Sequence, residues 1–160
     1  MRTSKGWTTH MPVLIRTVQM TNGPVLELGG GIFSTPLLHW LCAESRRRLA
    51  TYEDVKKYYK FAKQFQSRTH TIGFVDNWDK ADIDKHWSVA FIDHSEDRRA
   101  KDALRLKDRA DYLVLHDTHD NIYRYDKVWP HFKYVYHWKF CKPWTSVVSN
   151  SYEVDPILYR

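Results

Sequence analysis

Val25-Leu-Glu-Leu-Gly-Gly-Gly-Ile-Phe-Ser-Thr35 reads as a short buried strand running into a glycine turn and then into the start of a helix. Val25, Leu26 and Leu28 suit a central parallel strand covered on both faces. Gly29, Gly30 and Gly31 remove every side chain at the point where a ligand would meet the backbone. Ser34, Thr35 and Pro36 supply N-cap and first-turn residues, so the glycines open onto a helix N-terminus whose free N–H groups attract negative charge. Glu27 sets a carboxylate near the carboxyl end of that strand, where it would repel a phosphate. A dinucleotide fingerprint also needs a third glycine where this chain has Ser34. The stretch therefore suits a zwitterionic or cationic ligand better than a dinucleotide.

The bulk numbers set wide bounds. A chain of 160 residues is expected to form one domain, spanning 1–160, with a single core. Its 42% hydrophobic and 28% charged residues are those of a soluble globular protein. Cys42 and Cys141 lie far apart with no CxxC spacing, which argues against a disulfide framework or a zinc motif and points to a reducing, cytoplasmic setting. No apolar run approaches the ~20 residues of a membrane span, and no signal-peptide core is expected. The net charge of +6 would draw an acidic partner. Its sources, Arg46-Arg47-Arg48, the lysines of 56–63, and Arg98, Arg99, Lys101 and Arg105, are scattered, however, and read as a solvated helical surface in preference to a nucleic-acid site.

From residue 24 onward, strand-like runs alternate with helix-like segments, the pattern of an α/β domain with a mainly parallel sheet. A leading helix is expected over 8–21, with strands at 24–28, 47–52, 70–75, 88–92 and 111–116. Helices are expected at 35–44, 54–66 and 96–109, and a loop with a short helix at 119–131. The chain then changes character. Phe132, Tyr134, Tyr136, Trp138 and Phe140 alternate with other residues at a period of two, which says strand, and the rings read as core. After the Lys142-Pro143 turn, Trp144 to Asn150 reads as an antiparallel partner, because a parallel return needs a longer crossover.

In open α/β sheets ligands bind outside the carboxyl ends of the strands. Those positions here are Glu27 and the glycines, Tyr52-Glu53-Asp54, Asp76-Asn77-Trp78, Asp93-His94-Ser95 and His116-Asp117-Thr118-His119. Acids after all five strands converge on one edge. Glu53 follows Gly29 at about the 20-residue interval at which nucleoside-binding folds place an acid on the ribose hydroxyls.

Together these motifs resemble the small class I S-adenosylmethionine-dependent methyltransferases. The acid before the glycine loop carries the likeness, with Phe91-Ile-Asp-His94, Leu115-His-Asp-Thr118, the leading Gly6-Trp-Thr-Thr-His10 and the closing Lys142 to Asn150. It spans roughly residues 6 to 150. It implies a Rossmann-like fold: a seven-stranded, mainly parallel sheet ending in an antiparallel hairpin, with helices on both faces. It implies S-adenosylmethionine as cofactor and an unidentified methyl acceptor, read as a small molecule. Glu27, Gly29, Gly30, Gly31, Ser34, Thr35, Glu53, Asp76, Asn77, Trp78, Asp93, His94 and His10 are then the expected cofactor residues, with Asp76, Asn77 and Trp78 beside the adenine. His94, Asp93 and Asp117 are the expected catalytic residues, and His94 ranks ahead of His116, His119 and His10 as proton acceptor. A binding module or partner subunit of the same fold is the alternative.

Catechol-type relatives of that fold hold magnesium with acids corresponding to Asp93 and Asp117-Thr118. Thr118 replaces their asparagine and Glu96 stands where they carry a lysine, so no metal ligand is assigned.

Overall fold

The computed structural model describes residues 6–155, so residues 1–5 and 156–160 of the expected domain lie outside the described residues. Seven strands form one sheet: β1 (Val25–Leu28), β2 (Leu49–Glu53), β3 (His70–Phe74), β4 (Trp87–Ile92), β5 (Ala110–Leu115), β6 (Tyr134–Trp138) and β7 (Thr145–Ser149). Their order across the sheet is β3-β2-β1-β4-β5-β7-β6. The first five pair in parallel, and β7 runs antiparallel to both β5 and β6. The order reverses between β1 and β4, and such a reversal leaves a crevice at the carboxyl ends of the strands.

Alternate side chains of the central strands feed two cores, one on each face. Val25, Leu49, Val89 and Phe91 meet Val13, Leu14 and Val18 of α1 (Met11–Gln19) and Leu38 and Cys42 of α2 (Ser34–Glu44). Leu26, Leu28, Ala90 and Ile92 meet Ala103 of α4 (Arg99–Arg105), with Leu106, Tyr125 and Val128 beyond it. The third helix, α3 (Lys56–Ala62), leads from β2 to β3. Among the described residues no helix is long and apolar enough to cross a membrane.

Several elements are shorter than the apolar pattern predicts. The helix expected over 96–109 begins only at Arg99, because Ser95 to Arg98 close a turn (Arg98 N–H to the Ser95 carbonyl, 3.1 Å) and the Arg99 side chain folds back to the His94 carbonyl at 2.6 Å. The segment 119–131 forms three single 3-10 turns, the first two separated by Arg124, which adopts a left-handed φ of 56°. The leading helix starts at Met11, after the turn residues 6–10. The aromatic alternation outruns its strand. Phe132 and Trp138 are buried and Tyr134 and Tyr136 half-buried, whereas Phe140, past the end of β6, is 89% exposed.

Candidate functional site

The β1–α2 connection passes so close to the end of β4 that only glycine fits. Gly29 has φ +96°, and a Cβ there would stand 2.5 Å from the Asp93 carbonyl oxygen. In front of the loop lies a cavity of about 510 Å³ at the carboxyl ends of β1, β2, β4 and β5. Gly29, Gly30, Gly31 and Ser34 line one side, Glu53, Asp54, Val55 and Tyr58 a second, and Asp93, Arg99, His116 and Asp117 a third. Gly6, Trp7, Tyr123 and Pro143 also border it.

Glu27 does not reach this space. It is fully buried, and its carboxylate accepts hydrogen bonds from Thr35 Oγ1 (2.9 and 3.1 Å) and Thr51 Oγ1 (2.6 Å). Thr35 Oγ1 in turn accepts the Gly31 N–H at 3.0 Å, so the acid fixes the glycine loop from behind. Burial pushes the Glu27 carboxyl up to about 7, against the opposing hydrogen bonds from Ser34, Thr51 and Thr35. Thr35, also fully buried, belongs to this support and not to the cavity wall.

Glu53 ends β2 at the wall itself. It is 4% exposed, its Oε1 accepts the Val55 N–H at 2.6 Å, and burial pushes its carboxyl up to about 7. Asp54 beside it accepts Trp78 Nε1 at 3.0 Å and the Ser95 hydroxyl, tying the ends of three strands together. The expected adenine trio lies elsewhere. Asp76 is exposed, Asn77 Oδ1 caps a 3-10 turn through the Asp79 N–H (2.9 Å), and Trp78 is buried in the core on the α4 face. The chain after β3 turns inward to bury that indole, which takes all three residues away from the cavity lining.

Between β4 and β5 the acids are joined by a buried cation. Arg99, 6% exposed, reaches Asp93 Oδ1 through Nη2 and Asp117 Oδ2 through Nη1, both at 2.9 Å. Its guanidinium also lies 4.2 Å from the Tyr123 ring centroid. Arg99 thus stands between the two acids that would have to share a magnesium ion. Asp93 Oδ1 is 3.2 Å from His116 Nδ1 as well. Burial works to raise the Asp93 carboxyl, but His116 and Arg99 outweigh it and hold it below the usual carboxylate range. His116 Nε2 meets Thr9 Oγ1 at 3.1 Å, which fastens the turn 6–10 over the end of β5.

The histidines divide sharply. His94 Nε2 pairs with Asp102 Oδ2 at 2.9 Å, both side chains have no exposed surface, and the imidazole centroid lies 4.2 Å from that of Trp78. Burial lowers its pKa, although Asp102 opposes this. Its ring is therefore part of the core, and only the rest of the residue borders the cavity. His10 is 2% exposed, with its ring 4.8 Å from those of Phe91 and His116, and burial pushes its pKa down to about 4.

Of the expected cofactor residues the cavity gathers Gly29, Gly30, Gly31, Ser34, Glu53, Asp93, His94 and His10, and of the expected catalytic ones Asp117 too. Sequence reading did not single out Val55 and Tyr58 as lining residues and took Arg99 for a surface charge. Position after a strand end reveals the acids; nothing local marks an arginine that folds backward from a helix start.

No protein-family model matches the sequence, and no curated protein matches it either. Solved structures do match, over most of their length. The precorrin-6y C5,15-methyltransferase from Geobacter metallireducens GS-15 aligns with a TM-score of 0.67 at 15% identity, covering 92% of this chain and 93% of that one. A human methyltransferase 10 domain containing protein gives 0.63 at 15% identity, over 93% and 84% of the two chains. An O-methyltransferase from Bacillus cereus in complex with SAH gives 0.62 at 15%, over 92% and 82%. The chain has the Rossmann-like fold of class I methyltransferases.

Proposed function

We propose that this chain binds S-adenosylmethionine and transfers its methyl group to a small-molecule acceptor in the cytoplasm. The observation that carries this reading is the charge of the cavity: five acidic side chains (Glu53, Asp54, Asp93, Glu96 and Asp117) outnumber the Arg99 guanidinium and the His116 imidazole around a loop stripped of side chains. Such a lining favours a positively charged ligand and repels a diphosphate. The volume falls within the ~300–1,000 Å³ usual for small-molecule sites. The donor set also fits an adenosine. Glu53 presents a wall carboxyl able to accept both ribose hydroxyls, and Gly29 to Gly31 let the backbone approach the ligand closely. The likeness in fold to a structure in complex with SAH supports the same reading.

When bound, the cofactor supplies an electrophilic methyl on a positively charged sulfur. The protein must then fix the acceptor in line with it and exclude water. Trp7, Tyr58, Tyr123 and Pro143 provide apolar walls for this, and the Asp93–Arg99–Asp117 bridge holds the floor rigid. Cys42 and Cys141 are both free thiols, as a reducing compartment would keep them.

Calorimetric titration of S-adenosylhomocysteine tests the reading. The unaltered chain is expected to bind it, and Glu53→Ala to bind roughly 10- to 100-fold more weakly, the loss expected for a charge-assisted hydrogen bond. Absence of binding by the unaltered chain overturns the proposal. Binding with no turnover over a panel of acceptors replaces it with a non-catalytic partner subunit.

A further inference from the structure

His10 raises a question that methyl transfer does not answer. It lies in the turn 6–10, pressed against Phe91 and His116, and neither His10 Nδ1 nor His10 Nε2 has a hydrogen-bond partner. A buried polar atom left unpaired costs about 1–3 kcal/mol, so such atoms in a folded protein call for an explanation. Close by, His116 Nδ1 and Asp93 Oδ1 stand 3.2 Å apart. The ligating atoms of His10, Asp93 and His116 all lie within 4.8 Å of one another, and among the described residues no other trio does this.

We propose that His10, Asp93 and His116 form a binding site for a divalent first-row transition ion of the zinc class. Two imidazoles and one carboxylate are a donor set that such ions take while keeping further coordination positions open. Magnesium is a poor match, because it prefers oxygen and two of the three donors are nitrogen. The ion would give one of the two unpaired His10 nitrogens a partner and would stand in place of the proton between His116 and Asp93. His116 Nε2 keeps its contact with Thr9 Oγ1, which fixes the ring as an outer-shell partner does.

The local charge allows an ion here despite Arg99. Asp93 and Asp117 bring two negative charges against the single guanidinium, which leaves one in excess when both imidazoles are neutral. Arg99 takes one lone-pair direction of Asp93 Oδ1, and a carboxylate offers about four. The Asp93 side chain is 23% exposed and all three residues border the cavity, so an acceptor hydroxyl, thiol or ring nitrogen in that cavity could reach the ion. The site rests on geometry alone and does not depend on the cofactor assignment.

Zinc chloride titrated calorimetrically into the metal-stripped chain tests the site. One equivalent is expected to bind, with affinity reduced about 100-fold or more in His10→Ala and in Asp93→Asn. His39→Ala removes the other close histidine pair, in which His39 Nδ1 and His70 Nδ1 are 3.1 Å apart, and is expected to leave zinc binding unchanged. Thermal unfolding without zinc checks that each variant is folded, and added zinc should raise the midpoint only for the unaltered chain and His39→Ala. Failure of the unaltered chain to bind one equivalent overturns the proposal, as does binding that persists in both His10→Ala and Asp93→Asn.

Discussion

Glu27 is the one charged side chain in a four-residue strand whose positions are all buried. Its carboxyl is pushed up to about 7 when folded, against 4.5 in the unfolded chain, so between those values the folded state holds a proton that the unfolded state gives up. Its favourable contribution is complete below about pH 4.5 and is lost as the pH rises through about 7. Glu27→Gln keeps the shape without the charge. Urea unfolding should therefore show little difference from the unaltered chain near pH 4.5, and an advantage for the variant on the order of 3 kcal/mol at pH 8. His94 is a residue of the same buried kind. Its loss leaves Asp102 with Arg98 alone and opens a cavity beside Trp78, which together cost about 3 kcal/mol. His94→Ala should lose stability by that amount yet change S-adenosylhomocysteine affinity less than about tenfold, that is by under 1.4 kcal/mol. A large loss of affinity at unchanged stability would instead put the ring in the cavity.

At the scale of elements, α1 depends on a residue from outside it. Arg47 is 6% exposed and donates to the carbonyls of Val18 (2.6 Å), Thr21 (2.9 Å) and Gly23 (2.6 Å), closing the carboxyl end of α1 and the turn that follows. Cationic donors satisfy the last carbonyls of a helix and oppose its dipole. Arg47→Ala takes a donor from all three carbonyls, of which that of Val18 keeps the donors of Thr21, and a loss of about 2 kcal/mol is expected from urea unfolding, with faster amide exchange at residues 13–21. In sequence Arg47 looks like its neighbours Arg46 and Arg48, both exposed. Elements with a strong period were legible: β1, β4, β5 and the hairpin fall where the apolar pattern puts them. Helix ends were not, because α4 starts where Arg99 turns back to bond a loop carbonyl, and no local propensity encodes that.

Across the whole molecule, a net charge of +6 coexists with an acidic cavity. The surface charge is thus no guide to the ligand, and the concave edge of the sheet has its own field. A ligand that binds only the folded chain stabilises it in proportion to the logarithm of its concentration. S-adenosylhomocysteine at a hundred times its dissociation constant should therefore add about 2.7 kcal/mol to the unfolding free energy, read from urea titrations with and without ligand.

The amino-acid order alone determined the strand succession, the glycine turn and the collection of acids at one sheet edge. Those depend on periodicity and on what a glycine or a carboxylate does wherever the backbone puts it. Only the tertiary structure decided which acids face the cavity. Glu27 and Glu53 each belong to a central strand, but Glu27 points into the hydroxyls of Thr35 and Thr51 while Glu53 reaches the wall. It also decided that His10 stands beside Asp93 and His116, since contacts between distant segments follow from how helices and turns close over the sheet, which no local pattern encodes.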